Sequence, residues 1–66
     1  MLSGVDLCRA AHLMMHEYGN NAELEAARWA VRMLARGDRD ELLVWFGIGR
    51  TIAMMRSQAF TTGLPN

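Results

Sequence analysis

Three side chains that can bind a transition metal recur every four residues near the start of the chain: Cys8, His12 and His16. Two histidines four apart on a helix can share one metal ion, and a cysteine thiolate is a good zinc ligand. A row with this spacing turns through about 80° on an α-helix, so the three side chains cannot all face one ion. No further cysteine or histidine supplies a fourth ligand. We therefore predict no metal site, and we expect Cys8 to be buried on the apolar side of its helix.

The segment Gly47-Ile48-Gly49-Arg50-Thr51 is superficially similar to a glycine-rich phosphate loop. It lacks the six-residue spacing and the lysine of that loop, and it lies in an apolar helical run with no strand before it. Each glycine costs a helix roughly 1 kcal/mol relative to alanine. This cost favours close approach of another helix at these positions, with a kink as the alternative, and we predict no cofactor site here.

All seven basic residues are arginines, and Arg28, Arg32 and Arg36 follow one another at helical spacing. Such a row could contact nucleic-acid phosphate or an acidic partner. It could equally be a solvated helix face, because acidic side chains, Glu25 among them, lie beside it in the sequence. A DNA recognition helix needs an exposed polar face for base edges. The third predicted helix is too apolar for that role, and the second has too few Asn, Gln and Lys residues. A small DNA-associated transcriptional regulator is therefore the alternative function and not the leading one.

Catalysis finds little support in the residue types. The acidic residues lie mostly at predicted helix starts, where capping and the helix dipole explain them. His12 and His16 have no nucleophile nearby except Cys8. We predict that the protein is not an enzyme and has no catalytic residues.

The composition points to one small domain with more apolar surface than it can hide. A chain of 66 residues buries only about 60% of its unfolded surface, yet 52% of these residues are hydrophobic. The formal net charge is zero, so no global field attracts nucleic acid or an anionic membrane. The apolar run 42–49 is too short to span a bilayer. A single cysteine and no basic leader followed by a long apolar run lead us to expect a cytoplasmic protein.

Two glycines mark predicted helix ends, and each is followed by a helix-start signal. Gly19-Asn20 is followed by Glu23, and Gly37-Asp38 is followed by Glu41. Both patterns are typical of a helix-ending glycine with a left-handed conformation, followed by a capping box. A third, weaker start lies at Ser3, with Asp6 three residues later.

These signals predict an all-α protein, a small three-helix bundle with helices at about residues 4–18, 21–36 and 39–58. The domain is expected to span 1–59, followed by a flexible tail over 60–66. The connections are short, which favours antiparallel neighbours.

Helical projection at 100° per residue predicts which faces are apolar. On the first helix the apolar side comprises Val5, Leu7, Cys8, Ala11, His12, Met14, Met15 and Tyr18. On the second helix the predicted core stripe is Leu24, Ala27, Val31 and Leu34, and a separate apolar side carries Ala22, Ala26, Trp29 and Met33. The third helix is apolar almost all round: one side carries Val44, Trp45, Ile48, Ile52 and Met55, a second carries Leu42, Phe46 and Ala53, and a third carries Leu43 and Met54. Two short helices cannot cover it fully, so we expect a second copy or another protein to do so.

The layout resembles a family of small alphaproteobacterial proteins of unknown function. The resemblance rests on Tyr18-Gly19-Asn20-Asn21-Ala22, on Gly37-Asp38, and on Trp45 followed by Ile48, and it covers roughly residues 5–55. The chain departs from the family pattern at Trp29 and at the glycines of the third helix. Because the shared residues are mostly capping and core residues, the resemblance implies a fold and no activity.

The leading hypothesis is therefore a non-enzymatic protein–protein interaction module that forms a homodimer. It could also bind another protein, as a small inhibitor or modulator of a larger one, including an inhibitor encoded by a phage or mobile element. The predicted partner interface comprises Trp29, Met33, Trp45, Phe46, Gly47, Gly49, Arg50 and Met54. Aromatic residues are its expected anchors, because they tend to dominate interface energetics.

Overall fold

The structure, a computed structural model, describes the backbone of residues 3–63 and the side chains of residues 3–58. In chain order the backbone forms α1 (Gly4–Tyr18), a 3₁₀ turn (Gly19–Asn21), α2 (Ala22–Arg36) and α3 (Arg39–Gly63). The all-α class is confirmed. Helix α3 continues five residues beyond its predicted end at Gln58, so residues 60–63 are helical and not part of a tail. The rest of the predicted tail, 64–66, lies outside the described residues.

The start of α1 is set by a capping box. The Ser3 hydroxyl accepts a hydrogen bond from the Asp6 backbone N–H at 3.3 Å, and the Ser3 N–H donates to Asp6 Oδ2 at 3.2 Å. Each bond satisfies a backbone N–H that the helix itself leaves without a partner. The weakest of the three start signals in the sequence is thus a complete box.

The connection between α1 and α2 differs from the prediction. Gly19 has a positive φ of 56°, as expected, but its ψ of −123° lies outside the left-handed helical region. A single 3₁₀ turn follows, and Asn21 at the start of α2 makes no side-chain capping bond. The capping box predicted from Asn20 and Glu23 is therefore wrong, because the tight turn places Asn20 inside the 3₁₀ segment and not before a helix.

The connection between α2 and α3 has the predicted left-handed glycine and the predicted Asp38 cap, but the Asp38 N–H donates to Met33 O and not to the Glu41 side chain, so the capping box is half formed. Gly37 is left-handed at φ 74°, and its N–H donates to Leu34 O at 3.1 Å while the Asp38 N–H donates to Met33 O at 2.9 Å. This pair of bonds is a Schellman motif. The Asp38 carboxylate then accepts from the Glu41 N–H at 3.2 Å and caps α3. Gly37 and Asp38 are therefore sufficient to end α2 and to start α3.

Gly37→Ala is expected to lower the free energy of unfolding by about 1 kcal/mol, because a Cβ disfavours the left-handed conformation. Chemical denaturation followed by circular dichroism measures the effect. Gly4→Ala is the matched control, since Gly4 lies at the start of α1 with a negative φ and no atom within 4 Å of an added Cβ. An equal loss in both variants would contradict the explanation.

The core is narrow and built mainly from alanine. Its buried residues are Ala11 of α1, Ala22 and Ala26 of α2, and Ile48 and Ile52 of α3. Ile52 is the one large side chain that is completely buried among the described residues. Half-buried side chains pack around this cluster, including Leu7, Met14, Val44, Trp45 and Met55. The side of α3 that carries Val44, Trp45, Ile48, Ile52 and Met55 is thus the side that packs on the core.

Four members of the predicted apolar side of α1 are instead exposed: Val5, Cys8, His12 and Tyr18. The predicted burial of Cys8 is wrong, since it is a free and exposed cysteine. Helix α1 meets the other helices through a narrower strip centred on Ala11, which is completely buried. Cys8, His12 and Val5 lie together at one edge of the wider predicted arc, whereas Tyr18, about 20° from Ala11, is the last residue of α1.

The predicted core stripe of α2 is wrong as well. Leu24, Ala27, Val31 and Leu34 are all exposed, and the residues that are buried are Ala22, Ala26, Ala30 and Met33. Helix α2 therefore turns its small side chains to the core and its large aliphatic side chains outward. Small side chains allow two helix backbones to approach closely, and α2 and α3 form the most extensive helix pair of the described chain.

Helix α3 runs unbroken through both of its internal glycines. A Cβ on Gly47 would lie 3.3 Å from a methyl group of Leu7 in α1, and a Cβ on Gly49 would lie 3.5 Å from the Cβ of Ala26 in α2. Both glycines therefore face another helix of the same chain, in line with the close-approach interpretation.

Candidate protein-interaction surface

The outer face of α2 carries an exposed apolar stripe. Leu24, Ala27, Val31 and Leu34 follow the three-then-four spacing of a heptad seam. Leu24 is 51% exposed, and Val31 and Leu34 are each 64% exposed. In a chain whose core holds mostly alanine, the largest aliphatic side chains of α2 thus face away from the core.

Helix α3 contributes a second stripe beside the first. It comprises Leu42, Phe46, Gly49 and Ala53, which follow the same kind of spacing. Phe46 is 63% exposed, and the other three are half-buried. Between the two stripes lies an open groove of about 580 Å³, which we call the α2/α3 groove. Ala30 and Trp45 lie between the two stripes, and the charged residues of the lining are Glu23 and Arg50.

A stacked pair of tryptophans holds the two helices together beside the groove. The rings of Trp29 and Trp45 are 5.4 Å apart between centroids and nearly parallel, at 14°. The guanidinium of Arg32 lies 4.7 Å from the centroid of the Trp29 ring, within range of a cation–π interaction. Both tryptophans are half-buried by contacts within the chain. Trp45 also lines the groove, and the predicted role of the two tryptophans as anchors for a partner stays a prediction.

The predicted interface residues are divided between the core and the surface. Met33 is only 5% exposed, so its side chain is not available to a partner. Gly47 and Gly49 face α1 and α2 of the same chain. The exposed members are Phe46, Arg50 and Met54, and Arg50 makes no hydrogen bond or ion pair within the part of the chain that the structure describes.

Seven of the eleven residues that line the groove were absent from the predicted interface, among them Ala27, Val31 and Leu34 of α2. Their heptad spacing with Leu24 is visible in the sequence and marks an apolar stripe. The spacing alone gives no information about whether the stripe faces the core or solvent, because a helix with two apolar sides can bury either one.

The arginines of α2 are partly engaged with neighbours on their own helix. Arg28 donates to Glu25 at 2.9 Å, and Arg32 lies over Trp29, as described above. Arg36 is exposed in the last turn of the helix. The predicted contact of these residues with phosphate or an acidic partner remains a prediction.

Arg56 of α3 has a structural role that sequence patterns do not indicate. Its Nη2 donates to the Gly19 carbonyl oxygen at 2.7 Å, and its Nη1 lies 3.4 Å from Glu23 Oε1. These contacts fasten α3 to the turn between α1 and α2. No local signal could reveal them, because the partners lie 37 and 33 residues away along the chain.

Cys8, His12 and His16 all lie exposed on α1. In the part of the chain that the structure describes, no three histidine, cysteine, aspartate or glutamate residues come close enough to hold a metal ion. Likewise, no helix within that part is both long and apolar enough to cross a membrane. Thr51, in the segment similar to a phosphate loop, donates its hydroxyl to the Gly47 carbonyl at 2.7 Å as part of the continuous helix α3.

No protein-family model, no curated protein and no solved structure matches the chain. The class of protein is therefore described from the fold and the surface alone. It is a small all-α protein with an open apolar groove between two of its helices.

Proposed function

We propose that this chain is a non-enzymatic protein–protein interaction module, a three-helix bundle that binds through the α2/α3 groove and self-associates as a homodimer. The observation that supports the proposal best is the exposure of Val31, Leu34 and Phe46, each above 60%, along the two sides of one groove. Contiguous apolar patches beyond about 300–600 Å² are uncommon on monomers and are typical of binding sites.

The energetics favour covering this surface. Moving a large aliphatic or aromatic side chain from full exposure to burial stabilises by roughly 1.5–3 kcal/mol, and Val31, Leu34 and Phe46 begin more than half exposed. A typical stable interface buries about 800 Å² on each partner. On a protein with 5210 Å² of accessible surface in total, an interface of that size covers about 15% of the surface.

The lining of the α2/α3 groove is better suited to apolar contacts than to catalysis. Its ionisable side chains are Glu23 and Arg50, and Glu23 lies beside Arg56. A groove of this kind has few groups that could donate or accept a proton. Cytoplasmic location, inhibition or modulation of a larger protein, and kinship with the alphaproteobacterial family belong to the same proposal.

Phe46→Glu tests the proposal. The change places a charge in the groove without touching the core, because Phe46 is 63% exposed. We expect the native chain to be dimeric at micromolar concentration and the variant to be a folded monomer. Sedimentation equilibrium gives the mass, and circular dichroism confirms that the helices persist.

Leu13→Glu is the matched control, since Leu13 is 65% exposed on α1, outside the groove lining. This variant should remain dimeric. A native chain that is monomeric at all concentrations would contradict self-association, and equal dissociation by both variants would contradict the placement of the interface.

A further inference from the structure

We draw no further inference here: the strongest candidate, the open apolar groove between α2 and α3, belongs to the surface already described, and nothing in the structure shows what covers it.

Discussion

Ile52→Ala is expected to unfold a large fraction of this protein at 25 °C. Ile52 is completely buried, and the residues that surround it in the core are mainly alanines. Removing an isoleucine side chain down to its Cβ from such a site costs about 2–5 kcal/mol, with the higher values where neighbours cannot close the cavity. Alanine side chains have no freedom to move into the space, so the cost should lie toward the upper end.

The size of the chain makes this loss decisive. At roughly 0.05–0.15 kcal/mol per residue, a domain of this length has a total stability of only about 3–10 kcal/mol. Urea denaturation followed by tryptophan fluorescence measures the change, because the stacked pair of Trp29 and Trp45 reports on packing of α2 against α3. All variants are compared at one protein concentration, since the proposed dimerisation would add to apparent stability.

Leu13→Ala is the control for this prediction. It removes the same number of carbon atoms as Ile52→Ala, from a side chain that is 65% exposed. We expect a change within about 0.5 kcal/mol. Similar losses in the two variants would mean that Ile52 is not the centre of the core.

Helix boundaries could be predicted because their signals are local. The left-handed Gly37 and the Asp38 cap act within a few residues of chain, and both are present as expected. Asn20 has the residue type of a cap but lies inside a 3₁₀ turn. A capping residue therefore works only where the turn geometry places it just before the first helical residue, and residue type alone does not determine that geometry.

The faces of α2 could not be predicted in the same way. Hydrophobicity ranks Leu24, Val31 and Leu34 above the alanines, and so assigns the larger side chains to the core. The structure buries Ala22 and Ala26 completely, against a partner helix with glycine at position 49. Which face of α2 is buried depends on the match between two helix surfaces that are distant in sequence, 23 residues in the case of Ala26 and Gly49. Helical periodicity describes only one of these surfaces.

The position of the candidate surface depends on which face of α2 is buried. The prediction of unsatisfied apolar surface came from the excess of large residues on α3, and Phe46 is indeed exposed. The α2 side of the surface could not be assigned, because it required knowing that the alanine face is buried. Trp29 and Met33 were assigned to a partner for the same reason, whereas the structure packs them within the chain.

Ala26→Leu is expected to destabilise the protein by roughly 3 kcal/mol, the upper part of the range for overpacked cores. Ala26 is completely buried, and its Cβ would lie only 3.5 Å from a Cβ added at Gly49, so it packs close to the backbone of α3 there. A flexible side chain can yield to three added carbons, but the backbone of a continuous helix cannot do so without moving α3 away from α2. That movement would also separate Trp29 from Trp45, so the tryptophan fluorescence of the folded variant should change.

Gly49→Ala is the matched comparison from the opposite side of this contact, and its expected effect has the opposite sign. The added Cβ would lie 3.5 Å from the Cβ of Ala26, an ordinary van der Waals distance. The substitution also removes a glycine from a helix interior, which is worth up to about 1 kcal/mol. We therefore expect a modest increase in the free energy of unfolding. If Gly49→Ala were instead as damaging as Ala26→Leu, α2 and α3 would lie closer together than this structure shows, and the glycine would be required by contact.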